Sequence, residues 1–493
     1  MRDFGHFIDG AFTPPGDQLI ESIDPASGQT WCRFSAGGKV EADLAMRSAL
    51  DAFEVGPWGA MSAEARADCL DKLADALAAE WETLVEAEVR DNGKRVVEVR
   101  AQFAALHSWF RPYAAQARKM NSEAQENSVS GVESETTWLP YGPVVAITPW
   151  NSPLMILAWK LAPALAAGNV MVVKPSEMAS ASTLLFAELL HRAGLPKGVL
   201  NVVTGYGPDV GEALVRHPAT RMVTFTGSDV GGSKVAEAAA ANVVPVTLEL
   251  GGKSPQVVFA DIDIENTVNG VLAGIFASNG QSCVAGSRLI VQREIKDKLL
   301  KALVTRAAAL NAGDPWDKAT QVGPLANKSH FEKVCTMIAD ATASGAKCLL
   351  DGRKISAGSN GYFVGPTIFD EVSTDAALWR KEVFGPVLAI RSFSTEDEAV
   401  QLANDTDYGL AAGVWTTDPA KGKRVAERIK AGTVYINHYR SVDPGAPIGG
   451  ILRSGYGREL GPDAIKHFLQ TRSIWTGSSP VPDPFPPSHP EEK

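Results

Sequence analysis

The sequence has no excess of basic charge and no long uninterrupted apolar run. Its 493 residues carry 47 lysines and arginines against 57 aspartates and glutamates, a formal net charge of −10. A chain of this charge is not expected to bind nucleic acids or anionic membranes, since both select a basic face. The most apolar stretch, 143–173, is interrupted by prolines and polar residues, whereas a membrane span needs roughly 20 apolar residues in a row. We therefore predict neither a nucleic-acid partner nor a membrane partner.

Cysteine is scarce and shows no pairing pattern. The five cysteines are odd in number and never form a Cys-x-x-Cys pair; they are Cys32, Cys69, Cys283, Cys335 and Cys348. This usage indicates a reducing compartment and predicts neither a disulfide framework nor a metal site. The N-terminal residues show no apolar leader and no small-residue cleavage site. The expectation is a cytoplasmic protein, and its length implies roughly two or three domains.

Helical periodicity dominates the first 120 residues, which are predicted to be mainly helical. One apolar stripe recurs at steps of three and four, formed by Leu70, Leu73, Leu77, Trp81 and Leu84. Ser62 suits the start of this helix, and Asn92 with Gly93 suits its end. Residues 123–141 then become polar with hints of alternation, which predicts an exposed pair of strands.

From residue 143 onward, short valine-rich runs alternate with amphipathic helices. The sequence predicts strands at 144–148, 169–174, 199–203, 221–226 and 243–250, and helices at 153–167, 182–193 and 231–241. This alternation is typical of parallel β-α-β units and of a doubly wound sheet. Residues 252–450 repeat it, with a helix at 264–276 and strands at 285–291, 387–392 and 432–437, which indicates a second domain. The proline-rich tail 478–493 is predicted to lack regular structure.

Two glycine-containing turns follow predicted strands. Gly205, Gly207 and Gly211 superficially match a dinucleotide fingerprint, but the second gap is four residues where the fingerprint needs three. A plain strand-to-helix turn is the better interpretation there. In the segment 225–232, backbone N–H groups and the Ser228 hydroxyl could cradle a pyrophosphate. A purely structural turn is an equally good interpretation of that second segment.

Three polar residues each allow a chemical and a structural interpretation. Glu249 ends an apolar strand, where unpaired burial would raise its pKa towards that of a general base, although a salt-bridged structural glutamate is commoner. Cys283 lies in a glycine-flanked loop, where it is either a nucleophile or a small buried hydrophobe. Asn151 lies between two prolines and is either an oxyanion donor or part of an Asx turn.

Seven segments together favour the chemical interpretation of these residues over the structural one. Their residue types, their order along the chain and their spacing all match one protein family. They are ITPWNSP (147–153), VKPSE (173–177), FTGS (225–228), LELGGKSP (248–255), GQSCVAGSR (280–288), KEVFGPV (381–387) and SGYGREL (454–460). From about residue 7 to residue 477, the chain resembles the hydrolytic, non-CoA-acylating branch of the aldehyde dehydrogenase superfamily. The resemblance implies an α/β fold with a Rossmann-type doubly wound cofactor domain, an α/β catalytic domain and a small β oligomerisation flap.

The resemblance also implies roles for individual residues. Cys283 matches the nucleophile, Glu249 the base and Asn151 the oxyanion donor, while Lys160 matches a lysine tied to proton transfer. The residues expected to bind the cofactor are Ile147, Thr148, Pro149, Trp150, Lys174, Glu177, Gly227, Ser228, Gly232, Glu382 and Phe384. The residues expected to line the substrate tunnel are Ser152, Met155, Trp159, Ala277, Ser282 and Val284. No metal is expected.

The implied reaction is oxidation of an aldehyde to its carboxylate through a thioester on Cys283, with NAD as the oxidant. Glu177 can accept hydrogen bonds from both adenosine-ribose hydroxyls and would repel a 2′-phosphate, which favours NAD and leaves NADP as a second acceptor. Small side chains at Ser152 and Ala277 favour a fairly bulky catabolic aldehyde or semialdehyde, with aromatic, heterocyclic and amino-aldehydes as rivals. Arg440 falls near the tunnel mouth, where it would meet an anionic or polar substrate end or would simply be a solvated charge.

The domain organisation also follows from the resemblance. The NAD-binding domain is expected at 1–122 and 142–250, and the catalytic domain at 251–452. The segments 123–141 and 466–477 would form the oligomerisation flap, because exposed strand edges need covering. A homo-oligomer is therefore expected, either a dimer or a dimer of dimers, and the remaining partner is a small-molecule aldehyde.

Three other functions are compatible with parts of the sequence. A CoA-acylating relative would share the fold, but such enzymes generally lack the base that Glu249 matches. A cofactor-free thiol hydrolase would use Cys283 and Glu249 yet leave Lys174, Glu177 and Glu382 without purpose. A binding protein that kept the fold of the enzyme but not its activity would not need to retain Cys283, Glu249 and Asn151.

Overall fold

The computed structural model describes residues 1–120, 123–125, 131–356, 360–481 and 483–485. Its strands are β1 Arg2–Phe4, β2 Phe7–Ile8, β3 Ala11–Phe12, β4 Leu19–Asp24, β5 Gln29–Ser35, β6 Glu123–Gln125, β7 Val132–Pro140, β8 Pro143–Ile147, β9 Val170–Lys174, β10 Leu200–Val202, β11 Met222–Thr226, β12 Val246–Glu249, β13 Pro255–Val258, β14 Arg288–Gln292, β15 Lys347–Leu350, β16 Thr367–Asp370, β17 Val387–Phe393, β18 Tyr408–Gly409, β19 Ala411–Trp415, β20 Thr433–Ile436, β21 Ile451–Leu452, β22 Gly455–Tyr456 and β23 Leu469–Gly477.

Helices fill most of the connections between these strands. They are α1 Lys39–Glu54, α2 Ala63–Glu80, α3 Glu82–Asn92, α4 Val96–Ala104, α5 Arg111–Lys119, α6 Pro153–Ala167, α7 Ala181–Arg192, α8 Glu212–Val215, α9 Asp229–Ala240, α10 Ile264–Phe276, α11 Lys296–Ala308, α12 Lys328–Ala343, α13 Ala377–Arg380, α14 Glu396–Asn404 and α15 Pro419–Arg428. Short 3₁₀ segments occur at Leu106–Trp109, Ala277–Gly280, Arg293–Ile295, Gly352–Ser356 and Ala464–Phe468, and a π-turn at Gly207–Gly211.

The first sheet has eight strands in the order β22-β12-β11-β8-β9-β10-β2-β3. Its five central strands run parallel, and the antiparallel strands β22 and β2 flank them. The chain builds β8, β9 and β10 in one direction and then returns to the other side of β8 for β11 and β12. All residues of β9 are buried, as expected for a parallel strand covered by helices on both faces.

The second sheet has seven strands in the order β15-β16-β17-β14-β13-β19-β20. All its pairings are parallel except that of β15 with β16. Three smaller sheets complete the described fold: β1-β5-β4, β18-β21 and β23-β7-β6. The doubly wound α/β architecture predicted from the sequence is therefore confirmed.

The predicted elements after residue 143 agree closely with the structure. The helix predicted at 153–167 has those bounds, with Pro153 in its first turn and Gly168 in a left-handed conformation after its end. The Gly205–Gly211 segment forms the π-turn that leads into α8. The strand pair predicted at 123–141 is β6 and β7, and β7 pairs along its whole length with β23. Of the predicted tail, 482 and 486–493 lie outside the described residues.

The first 120 residues are mainly helical, as predicted, but the structure differs from the expectation in two details. That region begins with five strands, β1 to β5, before α1 starts at Lys39. These strands are short and irregular in pattern, so the longer helical periodicity that follows them masked their signal. The single helix expected from Ser62 to Asn92 is also interrupted: Ser62 caps α2, but Trp81 separates α2 from α3 before Gly93 ends the latter.

Among the described residues, no helix is long and apolar enough to cross a membrane. The five cysteines are all free. The side chains described show no group of three or more histidine, cysteine or acidic residues placed to hold a metal ion.

Candidate active site

The carboxyl ends of four parallel strands converge at one edge of the first sheet. β8 leads into residues 148–151, β9 into 175–177, β11 into 227–228 and β12 into 250–252. Strand order reverses at β8, and ligands of doubly wound folds bind in the crevice at such a switch point. A cavity of about 230 Å³ opens there, lined by Pro149, Trp150, Asn151, Ile156, Thr226, Gly227, Ser228, Leu250, Gly251, Cys283, His330, Lys333, Glu382 and Phe384.

The cavity brings together residues that the sequence predicted from four separate segments. Those in its wall are Pro149, Trp150, Asn151, Gly227, Ser228, Cys283, Glu382 and Phe384. Ile147 is the last residue of β8, and Thr148 follows it. Lys174 is the last residue of β9, and Glu177 lies three residues further on. Gly232 is buried in the first turn of α9. The wall also contains residues to which the sequence assigned no role, namely Thr226, Leu250, Gly251, His330 and Lys333.

The loop that carries Cys283 begins with three consecutive residues in the left-handed region. The φ angles of Ser278, Asn279 and Gly280 are 51°, 55° and 70°. The Ser278 N–H donates to Glu98 Oε1 at 3.0 Å, and the Asn279 side chain bonds the backbone of Pro324 and Gly323. These contacts fix a strained turn that leads directly into the cysteine.

Asn151 points its amide at this same loop. Its Nδ2 donates to the backbone carbonyl of Gln281 at 2.9 Å, two residues before Cys283. The Gln281 side chain is held in turn by the Ala326 N–H at 2.9 Å. An amide has two N–H groups and only one is used in this contact, so Asn151 retains donor capacity beside the thiol.

A buried acid–base cluster lies behind the cavity. The Lys160 ammonium donates to Thr224 Oγ1 at 3.0 Å and forms an ion pair with Glu459. Burial and the Glu459 charge raise the pKa of Glu249 well above its usual value, against the opposing charges of Lys160 and Arg458. Glu249 Oε1 is buried and has no hydrogen-bond partner among the described residues. The cluster therefore holds a carboxyl group with spare proton-accepting capacity.

Burial also raises the pKa of the Cys283 thiol to about 12, and the charges of Glu382, Glu249 and Glu459 act in the same direction. The thiol is accordingly protonated at neutral pH in the free protein. Glu249 is close enough to Cys283 for their charges to interact. It is thus a nearby group able to accept the thiol proton.

This raised pKa predicts how free Cys283 reacts with an alkylating reagent. The rate of modification by iodoacetamide should climb by about tenfold per pH unit from roughly pH 7 to pH 10, because only the thiolate reacts. Site-resolved mass spectrometry at a series of pH values measures this rate separately from those of the other four cysteines. A plateau near pH 8.5, as for an ordinary exposed thiol, would contradict it.

The predicted cofactor residues are already organised by contacts with one another. Lys174 Nζ donates to Glu177 Oε2 at 2.9 Å at the end of β9. Ser228 caps α9, and its Oγ accepts from the Gly231 N–H at 3.1 Å. Glu382 Oε1 accepts from the Gly252 N–H at 2.8 Å, and burial raises the pKa of Glu382 to about 7.

His330 was missed by the sequence analysis. It lies on α12, its Nε2–H donates to the Phe384 carbonyl at 2.7 Å, and its ring lies 5.2 Å from that of Trp150. Phe384 itself has a φ of 60° and meets Trp150 edge to face at 5.3 Å. Burial lowers the pKa of His330 to about 4, so the ring is neutral. A lone histidine on a helix has no sequence signal, and only the folded chain brings it to the cavity.

The predicted tunnel residues differ in their surroundings. Met155, Ala277 and Ser282 are half-buried, whereas Val284 is buried. Trp159 is buried and packs edge to face on Trp109 at 5.6 Å. The hydroxyl of Ser152 accepts from the buried Lys94 ammonium at 2.9 Å. Ser152 is thus engaged with a charged partner, a contact that its small size alone did not predict.

Comparison with known proteins gives one consistent result. The model of the aldehyde dehydrogenase family matches residues 12–474. The chain is 40% identical over 98% of its length to (Z)-2-((N-methylformamido)methylene)-5-hydroxybutyrolactone dehydrogenase of Acinetobacter baylyi, 99% of which is covered. It is 40% identical to the chloroplastic betaine aldehyde dehydrogenase of Beta vulgaris, with 97% of each chain covered. A solved betaine aldehyde dehydrogenase of Staphylococcus aureus, in complex with NAD+, superposes with a TM-score of 0.94 at 36% identity, covering 98% of this chain and 96% of that one.

Proposed function

This chain belongs to the aldehyde dehydrogenase family, and on that premise we propose that it oxidises its aldehyde through a covalent intermediate on Cys283. It is an NAD-dependent oxidoreductase. The observation that carries the proposed mechanism is the cavity in which the Cys283 loop, Asn151 and Glu382 meet beside the buried Glu249.

The residues at the sheet edge fit a dinucleotide. The buried hydroxyls of Thr148 and Thr226 have no hydrogen-bond partner among the described residues. A Cβ on Gly227 would lie 2.6 Å from the Phe225 ring, so a larger residue at the start of α9 would have to displace that ring. The start of α9 would hold the pyrophosphate, since a helix N-terminus favours a negative charge, and the Lys174–Glu177 pair at the end of β9 would hold the adenosine ribose. When bound, NAD supplies the acceptor for the hydride that leaves the substrate carbon.

The first step forms a carbon–sulfur bond. Glu249 takes the proton of Cys283, and the thiolate attacks the aldehyde carbon. The negative charge that develops on the oxygen is stabilised by the Asn151 amide and by the Cys283 backbone N–H, a kind of donor whose loss typically costs about 10²–10³-fold in rate. Loss of a hydride from this hemithioacetal restores the carbonyl, and the substrate leaves the step as a thioester.

The second step breaks the same bond. Glu249 removes a proton from water, the hydroxide oxygen attacks the thioester carbon, and the thiolate of Cys283 departs. The product is a carboxylate, and the cysteine is regenerated for the next cycle. Glu249 passes the thiol proton on before it takes the proton of water, and it passes the second proton on after hydrolysis. The Lys160–Glu459 pair, which borders Glu249 in the buried cluster, would carry both protons towards solvent.

The first test is NADH formation followed by absorbance with purified protein. NAD or NADP is supplied with a panel that runs from acetaldehyde through hexanal and benzaldehyde to succinic semialdehyde and amino-aldehydes. Activity without CoA supports the hydrolytic route over the CoA-acylating one, and a requirement for NAD excludes the thiol hydrolase. Absence of both NADH and NAD binding would overturn the proposal.

We propose a fairly bulky aldehyde or semialdehyde as the substrate, since Ala277 and Ser282, on the segment around Cys283, have small side chains that are only half-buried. The Ala277→Phe variant should lose about tenfold or more in kcat/KM for benzaldehyde, while propanal should lose much less, because a ring there occupies space that only a large substrate needs. Steady-state kinetics with both aldehydes measures the ratio, and Ala277→Val is the conservative comparison. Equal losses on both substrates would contradict a wide tunnel.

We also propose that the β23-β7-β6 sheet mediates oligomerisation. Trp475 on β23 is 57% exposed although it is a large apolar side chain, and β23 is an edge strand of its sheet. A strand edge of nine residues is normally covered in a stable protein. Light scattering after size-exclusion chromatography distinguishes monomer, dimer and dimer of dimers.

A further inference from the structure

The guanidinium of Arg440 joins the loop after β20 to the segment that leads into Cys283. Its Nη1 donates to the carbonyl of Ala277 at 2.9 Å and to that of Ala273 at 3.2 Å. Its Nη2 lies 3.4 Å from Ser278 Oγ. The side chain therefore caps the last turn of α10, where the helix dipole favours a cation.

No carboxylate of the described residues lies within ion-pair distance of Arg440. The acidic group that faces it is Glu98, and this carboxylate is already paired with Arg95 at 2.9 Å. Glu98 Oε1 also accepts from the Ser278 N–H. Two guanidinium groups thus lie near one carboxylate, and among the described residues Arg440 has no ion-pair partner of its own.

Arg440 is also close to the nucleophile. Burial lowers its pKa, whereas the charges of Glu98 and Cys283 raise it, and an arginine remains protonated under these conditions. The neighbouring Tyr439 hydroxyl donates to the backbone carbonyl of Val284, the residue after Cys283, at 3.0 Å. Arg440 and Cys283 are both half-buried, and they are close enough for their charges to interact.

An aromatic side chain lies near both Arg440 and the thiol. Tyr435 is half-buried, its ring lies 5.2 Å from that of Tyr439, and it is close enough to Cys283 and Arg440 for charge interactions. Next along the chain, Ser441 and Asp443 are exposed. Arg440 is therefore a fixed cation beside an aromatic ring in the neighbourhood of the thiol.

We propose that Arg440 determines the charge preference of the active site, favouring aldehydes with an anionic end over aldehydes with a cationic end. This inference rests on the proposed function, because the aldehyde carbon must reach Cys283. An anionic end would meet N–H groups of Arg440 that the helix carbonyls do not use, while an ammonium end would meet a like charge. A charge interaction of this kind across several ångströms near a protein surface changes relative rates by about tenfold.

The test compares three substrates of similar chain length: succinic semialdehyde as the anion, 4-aminobutanal as the cation and butanal as the neutral reference. In the Arg440→Gln variant, the ratio of kcat/KM for the anion to that for the cation should fall by about tenfold. Arg440→Lys retains the charge and should restore most of the ratio. Lys423→Gln removes one charge from an exposed helix position and should leave the ratio as in the wild type.

A second measurement does not depend on aldehyde oxidation. Iodoacetate is an anion and iodoacetamide is neutral, so the ratio of their alkylation rates at Cys283 reports the local charge. This ratio should fall severalfold in Arg440→Gln and remain near the wild-type value in Arg440→Lys. Peptide mapping separates Cys283 from the other cysteines.

The outcomes separate the two proposals. If wild-type protein alkylates with the expected dependence on Arg440 but oxidises no aldehyde, the charge preference stands and the proposed function fails. If aldehydes are oxidised but neither ratio changes in Arg440→Gln, the charge preference is overturned. Equal losses on all three substrates in both Arg440 variants, with unchanged alkylation ratios, would also overturn it and leave Arg440 as a cap of α10.

Discussion

The Cys283→Ala variant is expected to form no measurable NADH from any aldehyde. Without the thiol there is no hemithioacetal, and a hydrated aldehyde held in the same cavity is a poor hydride donor. Removing a nucleophile from a comparable covalent mechanism costs roughly 10⁴–10⁶-fold in kcat. Initial rates at saturating NAD and aldehyde, with the wild type as reference, measure the loss.

Two controls show that the loss is chemical. Cys348→Ala removes an exposed cysteine on β15 and should retain wild-type activity. NAD binding by Cys283→Ala, followed by titration calorimetry, should be close to that of the wild type because the predicted cofactor contacts come from other residues. A variant that kept more than a few per cent of activity would show that Cys283 is not the nucleophile.

The Glu249→Gln variant is expected to slow hydrolysis of the thioester more than its formation, because a thiol loses its proton without a base far more readily than water does. The amide cannot accept a proton from water, and loss of a general base typically costs about 10²–10⁴-fold. If thiol activation is less affected than hydrolysis, a rapid burst of about one NADH per subunit should precede a very slow steady state. Stopped-flow absorbance measures the burst, and mass spectrometry of the quenched protein should find the acyl group on Cys283.

The size of the burst also decides which step Glu249 serves. Absence of both burst and steady-state turnover would assign Glu249 chiefly to activation of the thiol. Normal steady-state turnover would contradict any role as a base. Glu427→Gln on an exposed face of α15 is the matched control, since its partner Lys423 lies 4.0 Å away in solvent and such pairs contribute little.

Much of the fold could be predicted because the residues that start and end helices in the sequence do so in the structure as well. Pro153 and Gly168 delimit α6, and Ser62 and Gly93 mark the outer ends of α2 and α3. The break at Trp81 could not be predicted, because nothing in its neighbours disfavours a helix. The five N-terminal strands were missed because their stability comes from partners far along the chain, such as β10 for β2.

The active site likewise contains residues with a local sequence signal and residues without one. The signal was clear for Cys283, Asn151 and Glu249, which lie in conspicuous glycine- and proline-rich segments. Glu98 and His330 could not be predicted, because each contacts the backbone of a residue far away in the sequence. Glu98 accepts a hydrogen bond from the Ser278 N–H, and His330 donates one to the Phe384 carbonyl. Spacing along a chain carries no information about contacts of this kind.

The pairing of Lys160 with Glu459 spans 299 residues and has a consequence for biosynthesis. A ribosome adding about 5–20 residues per second needs roughly 15–60 s to reach Glu459 after completing Lys160. Until then the lysine lacks its counter-ion, and β12, which bears Glu249, lacks its outer neighbour β22. The nascent chain would carry an open strand edge from the completion of β12 at Glu249 until β22 begins at Gly455. Yield in the cell should therefore depend on elongation speed and on chaperones that shield that edge.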